Sequence, residues 1–321
     1  MLKARDYTPA VKFGAKWLPQ DLAGMIGLPY VGNIYYIDPN AGSDSSNSGT
    51  SQDDAFATVA KYYEVAVSGN HDVGIIAPSG GTGRTTETTA ITWAKRFTHL
   101  VGSSAPTMQD TRAGISFGTG GSLTISENGC LFKNLTFNGS TDINVPVTVS
   151  GDYNSFIGCD FKGSLNDTTG DDTAARALVL SGAQENYFGM CTFGADTFTR
   201  SAANATVEFA SAASRNFFDS CDFVMAVDAD TPVHVLFTGT SAIDRWLAFR
   251  DCSFYSFSAN NATPVAAVMN LSAQTATGHV RLLGASVSQG ATDWEASASG
   301  RIYMMPYTAT TNAIGLAVNP T

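Results

Sequence analysis

The chain has 321 residues, 44% of them hydrophobic, with 18 basic against 28 acidic side chains and a formal net charge of −10. That apolar content excludes global disorder, and the acidic surplus excludes a basic face for a nucleic-acid backbone. Charged residues make up only 14%, against roughly 25% in an average soluble domain, no apolar run approaches the ~18 residues of a membrane span, and no apolar stretch typical of an export signal follows Met1-Leu2-Lys3-Ala4-Arg5-Asp6.

Residues 1–45 carry Trp17, Leu18, Leu22, Met25, Ile26, Leu28, Tyr30, Tyr35 and Tyr36, punctuated by Pro9, Pro19, Pro29 and Pro39. The prolines break any long helix, so the stretch reads as an extended arm that docks on the body of the chain, on a sister chain or on another protein. Trp17, Leu18, Met25, Ile26, Leu28 and Tyr30 are its candidate partner-binding residues. The loop 38–54 places Asp38, Asp44, Asp53 and Asp54 among Asn and Ser. Those oxygens could hold calcium, but the EF-hand order of ligands is missing. A turn-forming loop fits better, and no metal or other cofactor is assigned. Residues 53–67 read as one amphipathic helix, with Phe56, Val59, Ala60, Tyr63 and Val67 at i, i+3, i+4 spacing. Ser51 or Asp53 would cap it and Gly69-Asn70 end it. Lying across an open sheet end, it would cover an edge that otherwise templates aggregation. Residues 73–76 follow as a short strand. Residues 80–86, Gly-Gly-Thr-Gly-Arg-Thr-Thr, lack the order of a phosphate loop and read as a flexible turn.

From residue 130 onward a repeat of the form Phe-x-x-Cys-x-Phe dominates. Its copies start at Phe156, Phe188, Phe218 and Phe249 and carry Cys159, Cys191, Cys221 and Cys252. Degenerate copies flank them, with Phe132, Leu135 and Phe137 before and Leu282, Ala285 and Val287 after. First positions lie 24, 32, 30, 31 and 33 residues apart. Upstream of each copy stands an apolar-x-apolar pair: Leu123/Ile125, Val147/Val149, Leu178/Leu180, Val207/Phe209, Val235/Phe237 and Met269/Leu271. Ile302/Met304 fits a terminal copy of that pair. Alternation at period two means strands with one buried face. Short strands recurring about every 30 residues mean coils that stack, since no single coil can bury its own apolar face. The chain is therefore expected to be all-β, a parallel solenoid over residues 46–305, with a polar extended tail at 306–321.

The columns make further expectations concrete. The four cysteines should be buried free thiols behaving as small hydrophobes, because stacked neighbours have parallel Cα–Cβ vectors whereas a disulfide needs convergent ones. Two residues before the first Phe stand Cys130, Asn154, Asn186 and Asn216, of inward parity, so the asparagines should form a hydrogen-bonded ladder. The parity change between Phe and Cys requires a corner at Gly158, around Gly189-Met190, at Ser220 and at Gly284. Between Cys and the second Phe the column reads Thr136, Asp160, Thr192, Asp222, Ser253 and Ser286, a polar exposed face. Asp160 and Asp222 would stand roughly 9–10 Å apart by strand spacing, near the carboxyl separation of about 6.5–9.5 Å in inverting glycosidases, with Asp219 beside them. No basic residue occupies that column, so no catalytic residue is assigned in the main reading. Asp160, Asp222 and Asp219 form the alternative set, with Trp246, Trp294 and Tyr255 as sugar platforms.

Residues 36–44, Tyr-Ile-Asp-Pro-Asn-Ala-Gly-Ser-Asp, followed by Gly49-Thr50-Ser51 and Phe56, resemble the start of right-handed parallel β-helix proteins of the pectate-lyase-like superfamily; residues 100–106, Leu-Val-Gly-Ser-Ser-Ala-Pro, resemble an early coil of that fold. The superfamily holds polysaccharide lyases, glycoside hydrolases, phage tailspikes and non-enzymatic phage particle proteins. The resemblance, with the aromatic arm and the absence of a catalytic motif, implies a non-enzymatic phage virion protein, a capsid decoration or cement protein attached by its arm. By likeness to phage β-helices it would be a homotrimer, assembled in the host cytoplasm, placed on the capsid surface or tail, and partnered by the major capsid protein without nucleic acid or membrane. The alternative is a tailspike-like protein that binds or degrades a surface glycan.

Overall fold

In the computed structural model, residues 23–305 are described apart from 25, 29, 82, 110–112, 141, 259–263 and 298. Buried and less buried side chains alternate in strands such as Ser122–Ile125 and Leu178–Ser181, the pattern of a pleated backbone with one dry face. The strands form three sheets. Sheet A has ten strands, from Ile34–Ile37 to Ile302–Met305; sheet B has eight, from Arg84–Glu87 to Val287–Gln289; sheet C has eight, from Ala90–Trp93 to Ala291–Glu295. The chain visits A, B and C in turn and returns to A one strand further along, and neighbours pair in parallel. The result is a right-handed parallel β-helix, the hand favoured when parallel strands are joined by crossovers.

The interior is a set of stacked columns. Phe132, Phe156, Phe188, Phe218 and Phe249 stack at ring separations of 5.2, 4.7, 4.6 and 5.0 Å. Phe137, Phe161, Phe193, Phe223 and Phe254 do so at 5.1, 5.2, 4.8 and 4.5 Å. These separations follow the strand spacing of about 4.8 Å, and the two columns meet edge to face, as at Phe156–Phe161. Cys159, Cys191, Cys221 and Cys252 are buried and free. Each thiol faces the carbonyl of the first-column Phe one coil earlier: Phe132, Phe156, Phe188 and Phe218 at 3.4, 3.4, 3.3 and 3.5 Å.

The asparagines form the expected ladder, chiefly to backbone. Asn154, Asn186 and Asn216 accept at Oδ1 from the N–H groups of Cys130, Asn154 and Asn186, at 2.8, 2.8 and 2.9 Å. Asn186 also donates from Nδ2 to Asn216 Oδ1 at 3.1 Å. The corner after the first Phe is built by left-handed residues: Asn134, Gly158, Met190, Ser220, Asp251 and Gly284 have φ of 57°, 60°, 52°, 54°, 51° and 64°. A glycine takes this conformation freely, whereas the others hold it because pairing on both sides fixes the backbone.

Five expectations change. The helix spans Val59–Val65, capped by Thr58, whose side chain accepts from Lys61 N–H. Residues before it are captured by pairing: Phe56 bridges Ile37, and Asp44 accepts from the N–H groups of Ala57 and Thr58 at 2.7 and 3.1 Å. Neither Ser51 nor Asp53 caps it, and Tyr62, not Tyr63, is its fully buried aromatic. Gly49, with φ +74°, lets the Phe56 ring close on the chain, since a Cβ there would lie 2.3 Å from it. The helix still packs with Ile37, Ile76 and Trp93 in the core, closing the N-terminal end. Second, Arg84–Glu87 is a strand of sheet B rather than a turn. Third, Ile302 and Met304 extend the Val280/Leu282 column of sheet A, and Ala291–Glu295 is the terminal strand of sheet C. Fourth, one extra residue after Gly284 moves the last copy on: Ser286 takes the Cys position, with Oγ 3.4 Å from Phe249 O, and Ser288 rather than Val287 pairs with Phe254. Fifth, the polar column on sheet B is not an open face, because Thr136, Asp160 and Thr192 are all buried. The segment 103–109 reaches this column at Thr192, whose hydroxyl donates to Met108 O.

The Asp-rich loop directs the carboxylates of Asp38, Asp44 and Asp54 to its own chain. Asp38 Oδ1 accepts from Asn40 N–H at 2.9 Å, Asp54 Oδ2 from Ser48 N–H at 3.1 Å, and Asp44 from the start of the helix. These are the contacts of a turn-forming loop.

Candidate functional site

The outer face of sheet A carries the chain's most distinctive surface. In its N-terminal half, Ala23, Ile26 and Val31 pack with Tyr36, Val73, Ile75, Val101 and Leu131 into a second apolar cluster outside the coil. The end of the arm thus lies on the chain's own sheet. Ile26 is buried, Leu28 half-buried and Tyr30 exposed, while Trp17, Leu18 and Met25 lie outside the described residues. Tyr30 meets the His71 ring edge-on at 5.8 Å.

Between this segment and residues 102–108 runs a groove of about 640 Å³. Ile26, Val101, Pro106, Met108, Ile157 and Met190 give it an apolar lining, with Lys133 as its charged wall residue. Met108 is 54% and Met190 66% exposed. Strand register explains the lining. Ile75, Val101, Lys133 and Ile157 occupy one outward column of successive strands, and Met190 juts from the left-handed corner.

Further along, the same column continues as Gly189, Asp219 and Arg250, and its neighbour brings Tyr187 beside Phe217. Their rings stack at 6.3 Å. The Arg250 guanidinium lies 4.9 Å from the Phe217 ring centroid and donates from Nε to Asp219 Oδ1 at 2.8 Å and from Nη2 to Oδ2 at 2.5 Å. The Tyr187 hydroxyl also donates to Asp219, at 2.9 Å. Arg250 holds the Asp219 carboxyl below the usual range, and burial followed by the Asp219 bond pushes the Tyr187 hydroxyl up to about 12. Beyond this, Arg281 lies 5.5 Å from the Trp246 ring, and Tyr303 meets His279 edge-on at 5.4 Å. An aromatic and arginine strip thus follows the groove along the axis.

Of the carboxylates proposed for catalysis, Asp160 and Asp222 keep the expected two-strand spacing in one column, and Asp219 lies on another sheet. Asp219 belongs to the strip on sheet A, fixed by Arg250 and Tyr187. Asp160 and Asp222 lie around the corner on sheet B, on either side of Thr192. Asp160 is 2% exposed and accepts from the Thr136 hydroxyl at 2.9 Å. Asp222 is half-buried, and its carboxyl is raised by burial against an opposing bond from Ser253. Of the suggested sugar platforms, Trp294 is 2% exposed and packs edge-on against Phe254, so it belongs to the core. Tyr255 stacks with the exposed Phe257 at 6.4 Å. Only Trp246 lies on the strip.

A scan against protein-family models and a search of curated proteins found no match. Among solved structures, pectate lyase Pel9A superposes with a TM-score of 0.52 at 14% identity, over 79% of this chain and 64% of the lyase. The pectin methylesterase from Aspergillus niger gives 0.49 at 15%, over 88% and 94%, and ORF18 of Geobacillus virus E2 gives 0.28 at 13%, over 85% and 62%. The chain therefore spans about two thirds of the lyase's length, and the last two likenesses are too loose to carry weight. At such identities a superposition speaks for fold, not chemistry: the chain has the right-handed parallel β-helix fold of pectate-lyase-like proteins.

Proposed function

We propose that this β-helix is a non-enzymatic structural protein of a phage particle, a capsid decoration protein that docks on the shell through its N-terminal arm and the groove beside it. The observation that carries the reading is the apolar groove next to the arm, with Met108 and Met190 standing exposed at its rim. Contiguous exposed apolar surface marks a contact site, and flexible methionines suit a protein partner. The partner is the major capsid protein, and the working assembly is a homotrimer. The burial of Asp160, at 2% exposure, supports a binding role over a hydrolytic one.

Shells lacking this protein provide the test. Wild-type chain should cosediment with them, and Met108→Glu/Met190→Glu should stay folded, since both side chains are exposed, yet lose attachment at least tenfold. Deletion of residues 2–22, which spares the segment packed on sheet A, should also weaken attachment. Undiminished attachment of both variants would refute the role.

A second reading has its own support. Exposed rings at Tyr187 and Tyr303, with half-buried Phe217 and Trp246 beside arginines, suit stacking on a sugar chain. Binding of a host surface polysaccharide that is abolished by Trp246→Ala would favour it. Release of reducing ends, lost in Asp222→Asn, would make the protein a tailspike-like enzyme.

A further inference from the structure

Where the chain turns from sheet B into sheet C, the strand Thr192–Arg200 leads through three residues and Asn204 into the strand Ala205–Ser211. Arg200 is only 2% exposed. A guanidinium so buried ordinarily faces a carboxylate, because an uncompensated buried charge is strongly unfavourable. Here the Asp171 carboxylate favours the Arg200 charge and Arg176 disfavours it, but the Asp171 oxygens are spent on other donors. Asp171 accepts from Ser201 N–H at 2.6 Å, from the Ser201 hydroxyl at 2.7 Å and from Ala202 N–H at 2.8 Å. Glu208 is held by Arg176 at 2.6 Å. Nε and Nη1 of Arg200 are buried without a hydrogen-bond partner, and the guanidinium lies 5.9 Å from the Phe198 ring.

Two more unpartnered buried atoms belong to this corner, Thr206 Oγ1 and His234 Nδ1. The pairs Ala205–Val233 and Val207–Val235 flank them and set Thr206 beside His234 on adjacent strands. His234 Nε2 bonds Ser256 Oγ at 2.9 Å. When the Ser256 hydroxyl donates in that bond, the ring proton sits on Nδ1. The corner then holds one cation and two neutral donors, in a setting walled by Phe223 and Phe254 at 6.4 and 5.7 Å from the His234 ring. Burial and then the Arg200 charge push His234 down to about 3, so that charge reaches the imidazole. Asn204 Oδ1, also unpartnered, is an acceptor and takes no part in holding an anion.

We propose that this corner encloses a binding site for a small monovalent anion, a halide such as chloride, with Arg200 as its counter-charge and Thr206 and His234 as neutral donors. Water could satisfy the hydrogen bonds, but an anion would also oppose the guanidinium charge, which Asp171 offsets without bonding Nε or Nη1, and the aromatic walls favour a compact ion over phosphate or sulfate. Crystals of the full chain soaked in sodium bromide should show an anomalous peak beside Arg200 Nη1. In solution, replacing gluconate by chloride at constant ionic strength should raise Tm saturably by several degrees, as ligand linkage requires. Arg200→Met should abolish that response, and Arg245→Met, at an exposed arginine, should retain it. A bromide map with only water at the site, or wild-type melts that coincide in the two salts, would overturn the proposal. If Arg200→Met does not fold, the bromide map and the wild-type melts still decide.

Discussion

Phe218→Ala should lower stability by about 3–5 kcal/mol, the usual range for removing a fully buried phenyl ring together with the cavity it leaves. Phe218 stacks on Phe188 and Phe249 at 4.6 and 5.0 Å and meets Phe193, Phe223 and Phe209 at 5.5, 5.9 and 6.1 Å. Its loss therefore opens a gap bordered by three coils at once. Phe188→Ala should behave alike, while Phe217→Ala, one residue away on the outer face, should cost about 1 kcal/mol or less. Urea unfolding followed by circular dichroism measures the difference. Equal midpoints for Phe218→Ala and Phe217→Ala would mean that the inward and outward faces have been exchanged.

Acidification from pH 6.5 to 4 should destabilise the chain by on the order of 3 kcal/mol through His99 alone. Its side chain is 1% exposed and accepts the Leu131 N–H at Nδ1, at 3.0 Å. The ring proton is therefore on Nε2, 3.3 Å from His71 Nδ1. Burial, then the neighbouring His71, lowers the folded pKa from 6.5 to about 4. The folded state thus binds fewer protons than the unfolded chain throughout that window. The contribution is complete above pH 6.5, falls as the pH drops and is exhausted below about 4. His234 acts in the same sense down to about 3, whereas Glu87, raised by burial, opposes them. Denaturant melts at pH 7.5, 5.5 and 4.5 give the slope. His99→Gln should flatten it, whatever it does to stability at pH 7.5, and an unchanged slope would place the titration elsewhere.

The columns were legible because each core residue recurs about every 30 residues with its parity intact, so Phe156, Cys159 and Asn186 announced their surroundings together. Legibility failed where one local pattern served two places. The pair Ile302/Met304 alternates as well on sheet A as on sheet C, and only three-dimensional register assigns it. The helix appeared too long because Phe56 keeps helical spacing while pairing with Ile37 as a strand. The cover over Thr192 was invisible because the segment that meets it lies well upstream in sequence. The strip on sheet A carried a readable signal: the residues on either side of each first-column Phe are outward by parity, and they include Tyr187, Phe217, Asp219 and Arg250. The groove had no such signal, since it depends on the arm and the segment 102–108 coming together. The corner at Arg200 had none either, because one buried arginine has no period.

Site-resolved alkylation of the cysteines, read by mass spectrometry, tests the stacked dry interior most directly. In the folded chain Cys159, Cys191, Cys221 and Cys252, each at most 1% exposed, should resist iodoacetamide, and in denaturant all four should react as free thiols. Rapid labelling of any of them under native conditions, or a disulfide linking two, would contradict the fold on which the rest stands.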